Sequence, residues 1–156
     1  MKNPVRFLMH VPVPWVFVLA YLLGVALERG RHGTISPAAA QVSTIAGDVL
    51  FSVGAVIAGW GFLLFRKART TTVPGKLSAR LVTSGPYRFT RNPMYVGLVL
   101  AYLGEAALQN QIWPVVVLPF IIAYLHWTVI PVEEGRLVEA FDDEYEKYCA
   151  RVRRWL

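Results

Sequence analysis

The sequence predicts an all-α integral membrane protein with four transmembrane helices, the last two a helical hairpin, followed by a cytoplasmic amphipathic C-terminal helix. Three observations carry that expectation. Of the 156 residues, 55% are hydrophobic and only 17% charged, against about 25% charged in an ordinary soluble domain. The apolar residues gather into four stretches near the length that crosses a bilayer. The lysines and arginines lie almost entirely on one side of those stretches. The same composition excludes intrinsic disorder, a disulfide scaffold and a coiled coil. The net charge of +6 accompanies too much apolar sequence for a soluble nucleic-acid binder, so no nucleic-acid partner is expected. Cys149 is the one cysteine and cannot form an internal disulfide, and without a CxxC pair no metal is expected. The length is that of a single domain, 1–156.

A spanning helix needs about 20 mostly apolar residues to cross a hydrocarbon core about 30 Å thick. The first stretch, 11–27, opens on Pro12 and Pro14, where a first turn tolerates proline. It lacks a small-residue cleavage site before Glu28-Arg29-Gly30-Arg31, so it reads as a span and not as a signal peptide. The second, 44–65, carries one charge, Asp48, and reaches about 33 Å at the helical rise. The third, 95–108, is short and carries Glu105; the fourth, 112–132, contains Pro114, Pro119 and His126. Asn110 and Gln111 sit between the last two, which predicts a tight hairpin.

Four crossings place the N-terminus, the loop 66–94 and the tail on one side with 14 lysines and arginines, and leave 2 on the other. That asymmetry puts both termini in the cytoplasm of a multi-pass cytoplasmic (inner) membrane protein. In the tail, Leu137, Phe141, Tyr145, Tyr148 and Val152 recur every three or four residues, which predicts an amphipathic helix over 134–154. Seven acids precede a basic end of Lys147, Arg151, Arg153 and Arg154, an order that suits the helix dipole. Trp155 and Leu156 then read as an interfacial anchor against membrane lipids.

The loop carries more punctuation than a connector needs: Thr70-Thr71-Thr72, Pro74-Gly75 and Leu81-Val82-Thr83-Ser84-Gly85-Pro86-Tyr87. Asn92-Pro93 is a natural helix start, with an Asx cap and proline in the first turn. Beside Arg88 and Arg91 such a terminus would accept a carboxylate; the alternative is a basic loop with an ordinary cap. Glu133-Glu134 could bind an ammonium group or ribose hydroxyls, or simply favour the first turn of the tail helix. Glu105 within a span is a functional candidate that could also reach the far interface, and His126 could hydrogen-bond a neighbouring helix.

Taken together, Leu81-Val82-Thr83-Ser84-Gly85-Pro86-Tyr87 and Arg91-Asn92-Pro93-Met94-Tyr95-Val96-Gly97 resemble the signature of the isoprenylcysteine carboxyl methyltransferase and phospholipid methyltransferase superfamily. The second block of that superfamily is matched by Glu133-Glu134, Leu137, Phe141-Asp142, Tyr145 and Tyr148. The resemblance runs from Arg66 to the C-terminus and is closest to small prokaryotic members.

The resemblance implies a membrane enzyme that uses S-adenosylmethionine. Carried over residue by residue, the cofactor contacts would be Ala79, Arg80, Leu81 and Val82, then Tyr87, Arg91, Asn92, Pro93, Met94, Tyr95 and Glu133. The helix start beside an arginine would suit the cofactor's carboxylate, Glu133 its ammonium or ribose, and Tyr87 and Tyr95 its adenine or sulfonium. The acceptor would be a lipophilic small molecule or lipid headgroup at the cytoplasmic face. If it has to lose a proton, Glu134, Glu105 and His126 are the candidate bases. Two departures bear on the acceptor. Asn92 stands where the prenylcysteine enzymes have histidine, and Val129 where they have a substrate-binding arginine, so a prenylcysteine carboxylate is not expected. Two other classes remain open: a small four-helix transporter coupling protons through Glu105, and a non-catalytic relative of the methyltransferase fold.

Overall fold

In the computed structural model the described residues are 12–30, 40–68 and 80–156. They form helix α1 (Val13–Gly30), α2 (Ala40–Lys67), α3 (Pro93–Leu108), α4 (Trp113–Tyr124) and α5 (Ile130–Cys149). A 3₁₀ turn, Gly85–Arg88, precedes α3, and a π turn, Leu125–Val129, joins α4 to α5. No strand occurs among the described residues. Lys2, Arg6, Arg31, Thr70-Thr71-Thr72, Pro74-Gly75 and Ala79 lie outside them.

The all-helical expectation is met; the first three apolar stretches fall on α1, α2 and α3, and the fourth runs through α4 and the π turn into the start of α5. Two helical runs, Val42–Lys67 and Trp113–Cys149, are long and apolar enough to cross a membrane. At the helical rise the 18 residues of α1 and the 16 of α3 reach about 27 and 24 Å, short of a full hydrocarbon core. Val42, Ile45, Val49, Val56 and Leu63 of α2 and Trp15, Leu19, Leu22 and Leu23 of α1 are all more than half exposed. So extensive an apolar surface is unfavourable in water and suits lipid.

The packing of α2 on α3 is set by glycine. Gly47, Gly54 and Gly61 recur every seven residues on α2, and Gly97 and Gly104 do so on α3. A Cβ on Gly54 would collide with the Ala101 nitrogen and the Gly97 carbonyl, and one on Gly47 would lie 2.9 Å from the Gly104 carbonyl. Backbones approach this closely only where side chains are absent, the usual device of helix pairs that cannot rely on hydrophobic expulsion. The Ser43 hydroxyl ties the pair by donating to the Ala107 carbonyl at 2.9 Å.

The expected hairpin is present as a tight turn in which Gln111 N donates to Ala106 O at 2.9 Å and Asn110 takes a left-handed φ of 53°. Its arms nevertheless find different partners: α3 packs chiefly on α2, and α4 on α1. Glu28 at the end of α1 accepts from the Ile112 and Trp113 amides at 3.1 and 2.9 Å, capping α4 across the molecule. Between these pairs lies a core of Val13, Phe17, Tyr95, Tyr102, Leu118, Ile121, Leu125, Val129 and Ile130.

The C-terminal segment departs from expectation in three ways. No separate helix starts at 134, because the helical run from Trp113 continues to Cys149. The π turn lies just before Pro131, which has no N–H to donate and whose ring clashes with the carbonyl four residues back, so the wider turn relieves it. The helix then kinks at Asp142, with φ 39°, and it ends at Cys149, five residues before the expected 154. The expected inward face survives the kink: Tyr145 and Tyr148 are buried and Leu137, Phe141 and Val152 half-buried. Finally, Trp155 is no free anchor. It packs against the core, and its indole N–H donates to His126 Nδ1 at 3.1 Å.

Candidate functional site

Three segments converge at the end of the bundle where α3 begins. Gly85 adopts φ +61°, a left-handed conformation that suits glycine, with Leu64 and Trp60 crowded against its Cα. It starts the turn that buries Tyr87, whose ring lies 5.4 Å from that of Phe65. The Tyr87 carbonyl accepts from the Tyr148 hydroxyl at 2.7 Å, which locks the turn onto α5. Its own hydroxyl is buried without a hydrogen-bond partner, close to Gly61, where a Cβ would also press on Met94. Pro93 opens α3 as expected, and two residues on the Tyr95 hydroxyl donates to Glu133 Oε1 at 2.7 Å.

Glu133 stands one residue past the expected fourth span. Burial pushes its carboxyl up to about 7, with the Glu134 charge adding to the effect and the Tyr95 hydrogen bond and Arg136 guanidinium working against it. Burial likewise pushes the Tyr87 hydroxyl up, helped by Tyr148 and Glu133. Tyr87, Tyr95, Glu133 and Arg136 therefore form one interacting cluster. Its Tyr87 hydroxyl and Arg136 Nη1 are buried and unpartnered.

Beside this cluster Glu134 is held by two arginines. Arg91 Nη2 lies 2.9 Å from its Oε1, while Arg154 pairs with it through Nη2 and donates from Nε at 3.2 Å. The last residues of the chain lie across the start of α3: Arg91 N donates to Arg153 O at 2.9 Å, and Arg154 O accepts from both Thr90 Oγ1 and Asn92 Nδ2. The Asx cap expected of Asn92 is not made; its side-chain amide instead donates from Nδ2 to this strap. Arg91, expected to attend an anion at the helix start, pairs with Glu134 through Nη2, and its Nε is buried without a hydrogen-bond partner. Both Glu134 oxygens are thus engaged by guanidinium groups.

Leu81, Val82 and Met94 are half-buried at this end of the molecule, and Arg80 and Arg88 are exposed. Glu105 is not brought to the cluster: it follows Tyr95 by ten residues of α3, about 15 Å of rise, and accepts from Gln109 at 3.2 Å. His126 is engaged by Trp155. Val129, where the prenylcysteine enzymes carry an arginine, is a buried core residue. Among the described residues no three His, Cys, Asp or Glu side chains group to hold a metal. Sequence reasoning missed Arg136, Thr90 and the role of Arg154. Arg136 had one legible signal, its position one helical turn after Glu133.

The fold and this cluster define a small all-helical protein with a buried tyrosine–glutamate pair, closed over by its own C-terminus. The chain belongs to the phospholipid methyltransferase family, whose model matches residues 42–144, the segment that contains the glycine-packed helices, the 3₁₀ turn and Glu133. It is similar to the cobalt-zinc-cadmium resistance protein CzcN of Cupriavidus metallidurans, at 35% identity over 79 residues that make up 51% of this chain and 36% of that protein. It is also similar to the nickel-cobalt-cadmium resistance protein NccN of Alcaligenes xylosoxydans xylosoxydans, at 32% identity over 79 residues, 51% of this chain and 37% of that protein. The match thus spans little more than a third of the length of these curated relatives. No solved structure matches the chain.

Proposed function

We propose that the protein transfers a methyl group from S-adenosylmethionine to a lipophilic small molecule or lipid headgroup at the cytoplasmic face of the inner membrane. The observation that carries this reading is the Tyr95–Glu133 pair, 2.7 Å long, facing an unpartnered buried Tyr87 hydroxyl within a chain of the phospholipid methyltransferase family. The residues present fit the cofactor. A carboxylate suits an ammonium or a ribose diol, two buried phenols suit an adenine ring or a sulfonium, and Arg80–Val82 offer non-helical backbone beside them. S-adenosylmethionine supplies a methyl group already activated on a sulfonium, so the protein's task is alignment in a water-poor site.

In this reading Glu133 anchors the cofactor, and Tyr95 orients the carboxylate by donating to one oxygen, leaving the other oxygen for the ligand. Tyr87 closes the site from the loop side, and the strap over Thr90–Asn92 keeps water out. All four apolar helices cross the bilayer, with both termini cytoplasmic, and the acceptor arrives laterally from the lipid. The test is transfer of a labelled methyl from S-adenosylmethionine into an organic-solvent extract by the purified protein with membrane lipids. Transfer that falls at least tenfold in Tyr95→Ala supports the reading, and equal transfer by both proteins contradicts it.

A further inference from the structure

Arg136 is left unexplained by the site as described. A guanidinium stays charged at every accessible pH and carries five donors, and an unpartnered buried one is unfavourable unless an anion meets it. Arg136 is half-buried, and its Nη1 is wholly buried with no hydrogen-bond partner. It follows Glu133 by three residues on α5, which places the two side chains next to each other. They feel each other's charge, but among the described residues the ion pairs belong to Glu134, and none joins Arg136 to Glu133. Its neighbours differ in having a carboxylate partner: Arg154 engages Glu134 through both Nε and Nη2, and Arg91 pairs with it through Nη2 while its Nε stays buried and unpartnered. Arg136 is thus a cation placed at the cluster with a donor to spare, two residues beyond a carboxylate pair that could have neutralised it.

We infer that Arg136 is an oxyanion-binding residue of the site, which receives a carboxylate or a phosphate beside Glu133. The inference rests on the proposed methyl-transfer reading and extends it: the cluster then binds a zwitterion or an anion, with Glu133 as its negative pole and Arg136 as its positive one. Two sources offer that chemistry, the amino-acid carboxylate of the cofactor and an acidic headgroup on the acceptor.

The experiment compares wild type, Arg136→Gln and Arg136→Lys in detergent, each first shown to unfold at a similar temperature. The probes form two pairs, each with and without the acid: S-adenosylhomocysteine against methylthioadenosine, and phosphatidic acid against diacylglycerol in mixed micelles. Loss of charge-assisted hydrogen bonds predicts a tenfold to hundredfold weaker affinity, roughly, for at least one acidic probe in Arg136→Gln. Its neutral counterpart should be unchanged, and Arg136→Lys should recover part of the loss. A drop confined to S-adenosylhomocysteine assigns the anion to the cofactor; one confined to phosphatidic acid assigns it to the acceptor. Equal binding of both acidic probes by wild type and Arg136→Gln would overturn the inference, as would equal weakening of acidic and neutral probes. Failure of the cofactor reading looks different: wild type would then bind neither nucleoside, and the lipid pair would still decide the role of Arg136.

Discussion

Tyr95 and Glu133 lie 38 positions apart in the chain and 2.7 Å apart in space, and the proposed function rests on this pair. Removing the donor in Tyr95→Phe keeps the ring and its packing but loses a hydrogen bond to a carboxylate, worth about 1.5–3 kcal/mol. S-adenosylhomocysteine affinity, measured by titration, should therefore fall about tenfold or more. The raised Glu133 carboxyl gives two pH effects of defined sign. Its ordinary value is 4.5 and its folded value about 7. The stability associated with the protonated form is therefore complete below about 4.5 and is lost as pH rises through about 7. Thermal unfolding followed across that window should show a decline that Glu133→Gln flattens. Ligand binding should run the other way, tightening as Glu133 ionises, again with a flat profile in Glu133→Gln. Much of this scale was legible in the sequence, because tyrosine, glutamate and the Asn-Pro start occur as ordered motifs. Arg136 was not, because whether an arginine finds a partner depends on where every other acid goes, and the Arg91–Glu134–Arg154 set could be counted only in three dimensions.

At the scale of elements, the two helix pairs are built by different means. The α2–α3 pair depends on the absence of side chains, so Gly104→Val should drive β-branched atoms into Phe51 and separate the helices. Overpacking of this kind costs about 1–3 kcal/mol, read as an earlier thermal transition in detergent. The seven-residue spacing of those glycines is visible in the sequence, yet spacing alone does not say which helix receives them. The terminal strap is the other element whose role only the structure shows. Arg154 grips Glu134 while its carbonyl holds Thr90 and Asn92, so Arg154→Ala removes the ionic half of the strap and leaves the backbone half. A loss of about 1–3 kcal/mol in stability is expected, with faster proteolysis of the C-terminus as the accompanying sign. The amphipathic pattern of the tail was read correctly, but its kink at Asp142 was not. A residue at φ 39° within a helical run has no periodic signature, and the strap that follows it is held by contacts with residues some 60 positions away.

For the whole molecule, the account joins a membrane-embedded bundle to a site at the end where the basic residues collect. The strap, the 3₁₀ turn and Glu133 share that end, and Glu28, Glu105 and the Asn110 turn share the other. If all four apolar helices cross, a fluorescent protein fused after the exposed Leu156 should be bright in the cytoplasm. A periplasm-active phosphatase fused at the same position should be silent; the reverse pattern would invert the topology. Composition made the all-helical, apolar-surfaced architecture legible, since bilayer thickness acts on whole segments and not on single contacts. The central claim, that the Tyr95–Glu133 cluster binds S-adenosylmethionine, is tested most directly by calorimetric titration of S-adenosylhomocysteine into the purified protein beside Glu133→Ala. Saturable binding to the wild type that is lost in the variant, with both proteins folded, is the predicted result. No binding to folded wild type, or equal binding to both, would contradict it.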